Sequence, residues 1–139
     1  MSFRGSTDIK NWINNLQVGF TSYSGCSGCS IHQGFYVSYK SIISTVKKQV
    51  SSLKSLYRNS GIYITGHSLG GALASIISID IQKEIGAVNH VYTFGEPRVG
   101  NPSLASYFSG KVSIQRIINY ADIVPHLPQT TFGYKHEGQ

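Results

Sequence analysis

The chain is short of acid. Its 139 residues carry 6 Asp and Glu against 12 Lys and Arg, a net charge of +6. No run of like charge exceeds Lys47-Lys48, so the excess reads first as a solubilising surface. Attraction to an anionic lipid surface is the second reading. Basic residues are not interleaved with aromatics, and nucleic acid is not an expected partner. Long apolar runs are missing too: none reaches the 18 or so residues a transmembrane helix needs. Met1 to Asp8 lacks the hydrophobic region of a secretory leader, and the compartment stays undetermined. Cysteine is limited to Cys26 and Cys29, with His32 three residues on. A structural zinc site needs four ligands and no second Cys/His pair stands at suitable spacing, so no metal is expected. A local disulfide and two free thiols both remain open.

What is present suffices for one core. Forty per cent apolar and 12% aromatic residues in 139 suit a single domain over residues 1–139. Ile9, Trp12, Ile13 and Leu16 recur at helical spacing after a cap at Thr7 or Asp8. Residues 19–34, rich in Gly, Ser and Cys, read as a loop. A long amphipathic helix follows from Phe35 to Tyr57 and stops at Asn59-Ser60-Gly61. Buried strands are expected at Ile62–Thr65, Val88–Phe94 and Val112–Ile118, with helices near Gly70–Ile85 and Ser103–Phe108. Strands alternating with helices predict an α/β fold with a mostly parallel sheet.

The chemistry concentrates at Ile62-Tyr63-Ile64-Thr65-Gly66-His67-Ser68-Leu69-Gly70-Gly71. A strand stops at a glycine, presents one serine, and enters an apolar helix through two more glycines. This is the local pattern of a nucleophile elbow, which holds a serine on a tight turn and pushes it toward solvent. The Leu69 N–H, at the helix start, would face the charge that develops during attack. A serine hydroxyl also needs a base and an acid to orient that base. The acids after Ser68 are Asp80, Glu84, Glu96, Asp122 and Glu137. Asp80 and Glu84 lie within the helix after the elbow, whereas Asp122 falls just past the third strand. Open α/β sheets place their sites at that edge, which makes Asp122 the candidate acid. In chain order, His136 would be the base.

Phe3-Arg4-Gly5-Ser6, Trp12, Gly66-His67-Ser68-Leu69-Gly70-Gly71, Gly95-Glu96-Pro97-Arg98-Val99-Gly100-Asn101 and Asp122-Ile123-Val124-Pro125-His126-Leu127-Pro128 together resemble the class 3 (fungal-type) lipase family. The resemblance implies an α/β-hydrolase core, partial at both ends, and a serine hydrolase acting on lipid esters without a cofactor. It implies Ser68 as nucleophile, Asp122 as triad acid, and Ser6 with the Leu69 N–H as oxyanion donors. The helix bearing Trp12 would be a lid that opens at a lipid–water interface. The family's catalytic histidine lies beyond the Asp-Ile-Val-Pro-His segment, and His126 and His136 match non-catalytic positions. The alternative is a lipase-like module without catalysis that binds lipid or a protein partner.

Overall fold

The computed structural model describes residues 1–86 and 88–138. In chain order the elements are β1 (Ser2–Phe3), α1 (Ile9–Asn14), β2 (Phe20–Ser22), β3 (Ser30–His32), α2 (Gln33–Leu56), β4 (Ile62–His67), α3 (Leu69–Glu84), β5 (Val88–Phe94), α4 (Pro102–Ser109) and β6 (Ile114–Ile117). Short 3₁₀ turns follow at Val124–His126 and Thr130–Phe132. Strands β1, β4, β5 and β6 form one sheet in the order β1-β4-β5-β6, and each neighbouring pair is parallel. This is the parallel α/β sheet expected from the alternation of elements, and it agrees with the α/β-hydrolase core that the resemblance implies.

Burial follows from the side-chain periods. Along β4, Ile62, Ile64 and Gly66 are buried while Tyr63 and His67 are exposed, the two-residue alternation of a sheet with one covered face. Helix α3 covers it: Leu73, Ile76, Ile77, Ile79 and Ile81 are all buried. Each such side chain contributes about 1.5–3 kcal/mol on burial, so this helix is the centre of the core. Gly86, in left-handed conformation at φ 78°, ends α3 by donating to Ile81 O at 2.9 Å. Helix α2 packs behind α3, where Tyr39 donates to Asp80 Oδ2 at 2.5 Å and Lys47 bridges Asp80 and Glu84.

Two expectations need correction. Residues 19–34 are not a loop throughout: β2 and β3 form an antiparallel hairpin, with Phe20 opposite His32 and Ser22 opposite Ser30. Cys26 and Cys29 close its turn as a disulfide, which removes the free-thiol alternative. Three-residue strands are too short to show alternation, and this pair is held from outside, by His32 N–H on Val99 O at 2.9 Å and Asn101 N–H on Ser30 O at 3.0 Å. Strand β6 is also shorter than Val112–Ile118, because the Val112 N–H is taken by Phe108 O at the end of α4.

Candidate active site

Strand β4 delivers Ser68 to a sharp turn. Ser68 has φ 54° and ψ −126°, the single non-glycine residue with positive φ among those described. Such a conformation costs about 1–3 kcal/mol and persists only where neighbours enforce it. The enforcement here is steric. A Cβ on Gly66 would lie 2.0 Å from Gly70 O, and one on Gly70 would lie 2.2 Å from Phe3 O. The glycines therefore let strand, turn and helix meet in a space that holds no side chain. The Ser68 N–H donates to Phe94 O at 2.9 Å, which ties the turn to the end of β5.

At the start of α3, the Gly71 and Ala72 N–H groups donate to Ser68 O at 2.9 and 3.3 Å. The Leu69 N–H has no acceptor among the described residues, so it is available at the positive end of the helix. Leu69 and Ser6 both line a cleft of about 720 Å³, shared with Trp12, Leu16, Phe35 and Val37. Helix α1 forms part of its wall. Asp8 caps α1 by accepting from Asn11 N–H at 2.9 Å, and Trp12 stacks on Phe35 with ring centres 6.2 Å apart.

The elbow serine itself does not face solvent. Ser68 is 0% exposed, and its Oγ is buried without a hydrogen-bond partner. The expectation of an exposed serine is thus corrected. The segment Phe3–Ser6 lies on the turn: a Cβ on Gly5 would come 2.4 Å from His67 O and 3.3 Å from Ser68 Cβ. Sequence spacing carries no trace of such cover.

Asp122 stands where its position past β6 suggested. Its Oδ1 accepts from Val124 N–H at 2.9 Å. Its Oδ2 lies against Gly95: the point a Gly95 Cβ would occupy is 2.4 Å from that oxygen and 3.4 Å from His67 Nε2. Gly95, at φ 55°, therefore leaves room for the carboxylate beside the end of β5. Ser68 and Asp122 are brought to the same sheet edge, one bonded to Phe94 and the other packed on Gly95.

No histidine among those described bonds Ser68 Oγ. His136, the base that chain order would substitute, points Nε2 at Pro125 O at 2.7 Å. Burial lowers it to about 4, with the Arg116 and Arg98 charges adding to the effect, so it is neutral in place. His32 is buried as the cap of α2, accepting from Phe35 N–H through Nδ1 at 3.3 Å and contacting Gln17 O through Nε2. Burial lowers its pKa as well. His67 and His126 are exposed, and His90 sits exposed in β5 beside Tyr92. No cluster able to hold a metal ion occurs among the described residues.

Sequence reasoning missed the clamp under the Asp122 loop. Arg98 Nη1 donates to His126 O at 2.5 Å and Pro128 O at 2.9 Å, while its backbone N–H takes Leu127 O at 2.7 Å. One residue thus engages three successive carbonyls of the turn. The arginine and proline-bounded loop were visible, but the pairing spans about thirty positions.

A family model described as Lipase (class 3) matches residues 1–132. A lipase of Rhizomucor miehei is 40% identical over 142 residues, covering 99% of this chain and 39% of the relative. A secreted mono- and diacylglycerol lipase of Fusarium solani is 35% identical, covering 98% of this chain and 41% of the relative. The solved structure of a triacylglycerol lipase, described as having a serine protease triad as its catalytic centre, superposes with a TM-score of 0.92 at 40% identity. It covers 98% of this chain and 53% of that one. The chain spans about two fifths of the length of the curated relatives it matches.

Proposed function

The chain belongs to the class 3 lipase family, and from that premise we propose that its site cleaves lipid carboxylic esters through an acyl-enzyme on Ser68. The observation that carries this reading is the strained elbow. Backbone held at φ 54°, with an unbonded hydroxyl at its tip, has no use in packing and is what a positioned nucleophile requires. Ser68 Oγ attacks the ester carbonyl carbon. The carbonyl oxygen, now an oxyanion, accepts from the Leu69 N–H and the Ser6 hydroxyl. A histidine takes the serine proton and returns it to the leaving alkoxide, and Asp122 orients that imidazole and stabilises its charged form. Water then attacks the acyl-enzyme and frees the fatty acid. These steps need no cofactor.

The cleft of about 720 Å³ beside Ser6 and Leu69 has room for an acyl chain. Helix α1, which bears Trp12, would shift to open the cleft beside Ser68 at a lipid–water interface. A short amphipathic helix with a single tryptophan suits that role. No helix of the described residues is long and apolar enough to cross a membrane.

Because no described histidine engages Ser68, added imidazole tests the reading on the chain as it stands. Loss of the base costs several orders of magnitude while oxyanion and binding contributions remain. Release of nitrophenol from a short-chain nitrophenyl ester should rise with imidazole above the protein-free rate, and Ser68→Ala should remove the increment. An increment unchanged in Ser68→Ala would sink the assignment. Absence of any increment would favour the non-catalytic, lipid-binding module.

A further inference from the structure

The segment that closes the described chain is bound by a pair of acids. Residues 134–138 run from Gly100 and Pro125 past β6 to the end of α4. Lys135 N–H donates to Gly100 O at 2.9 Å, His136 Nε2 to Pro125 O at 2.7 Å, and Gly138 N–H to Ser109 Oγ at 3.1 Å. Arg116 Nε holds the Glu137 carbonyl at 2.8 Å. Between these contacts the Glu137 side chain, 1% exposed, enters the core beside Glu96, 0% exposed. Glu96 accepts from Ser75 Oγ and Thr93 Oγ1, both at 2.6 Å. The Glu137 carboxyl comes within hydrogen-bonding reach of Glu96, and its Oε1 has no partner.

Two ionised carboxylates cannot share a dry site, whereas one carboxylic acid can donate to the other carboxylate. The charged and titratable groups facing the pair and its segment are Arg116 on β6, Arg98 after β5, and His126 and His136. Arg116 attracts both carboxylates, yet its Nε is committed to a backbone carbonyl. Burial pushes both acids above the usual carboxylate range, Glu137 the further because the Glu96 charge adds to the effect.

We propose that Glu96 and Glu137 form a proton-operated latch. With one proton shared between them, residues 134–138 stay docked. Loss of that proton expels Glu137, breaks the His136–Pro125 bond and loosens the Asp122 loop from that side. The proton balance is one: it leaves the pair for solvent as the segment undocks.

The sign follows from linkage. A carboxyl raised in the docked state stabilises docking most fully below its ordinary value, and that contribution fades as pH rises through the raised value. His136 acts oppositely. Being lowered to about 4, it favours docking fully above about pH 6.5 and loses that contribution as pH falls.

Amide hydrogen exchange at Lys135 and Gly138, corrected for the intrinsic rate, tests the latch between about pH 6.5 and pH 9, where His136 no longer opposes it, with Ala72 in α3 as reference. One proton allows at most about a tenfold change per pH unit within the window. The expected result is a rise approaching that slope at Lys135 and Gly138, with Ala72 flat. Glu137→Gln and Glu96→Gln should each flatten it, since an amide can donate to the remaining carboxylate. Should Glu137→Gln fail to fold, Glu96→Gln decides, together with the infrared band of a buried carboxylic acid in the parent chain. PH-independent exchange in the parent, or a slope surviving in a folded Gln variant, would overturn the latch. Exchange requires no catalysis, so its outcome is separate from that of the Ser68 assignment.

Discussion

Replacing Ser68 by alanine should make the protein more stable. The hydroxyl is buried and unbonded, and an unsatisfied buried polar group costs about 1–3 kcal/mol. Ser68→Ala removes that cost and leaves a gap smaller than a methyl group, for a net gain of about 1–2 kcal/mol. The φ of 54° is retained, so relief of backbone strain makes no contribution in this variant. At about 2.1 cal/mol/K per residue, the unfolding entropy of 139 residues is about 0.3 kcal/mol/K, and the gain corresponds to about 3–7 °C in Tm. Ser68→Gly relieves the strain too, about 1–3 kcal/mol, offset by about 0.5–1 kcal/mol of added chain entropy. It should be no less stable than the parent. Scanning calorimetry under reversible conditions reads both. A Tm for Ser68→Ala at or below the parent value, with unchanged circular dichroism, would refute the reasoning, because it would mean the hydroxyl is satisfied in solution.

Three further outcomes follow from the same geometry. Gly70→Ala places a Cβ 2.2 Å from Phe3 O, and relief requires β1 to move off β4; urea unfolding should show a loss of about 3 kcal/mol. The Cys26–Cys29 disulfide closes a four-residue loop, so Cys26→Ser with Cys29→Ser should cost only about 2 kcal/mol by loop entropy, and the double variant should remain folded by circular dichroism. His136 is lowered to about 4 by burial, so it contributes stability above about pH 6.5 that is lost as pH falls toward that value. His136→Asn should therefore flatten the stability curve between pH 6.5 and 4, and an unchanged acid limb in this variant would contradict that.

Legibility from sequence tracked how local the determining contact is. The elbow could be read because its pattern is local: a Cβ on Gly66 would meet Gly70 O, only four positions on. The long helices could be read because α2 and α3 repeat their apolar positions over many turns. Asp122 was legible as a strand-end acid in a chain with few acids. The β2–β3 hairpin was not, since Val99 and Asn101 hold it from about seventy positions away. Nor was the cover over Ser68, which comes from Gly5. The Arg98 clamp and the Glu96–Glu137 contact share that cause: each joins loops whose proximity exists only once the sheet has formed.

The most direct measurement is the site of acylation. The chain is incubated with a nitrophenyl ester and imidazole in the presence of lipid vesicles, quenched in acid, digested and mapped by mass spectrometry. The expected result is an acyl group on the peptide bearing Ser68, absent from Ser68→Ala and reduced in Asp122→Asn. An acyl group carried elsewhere, or in equal amount by Ser68→Ala, would contradict the assignment of Ser68 as the nucleophile.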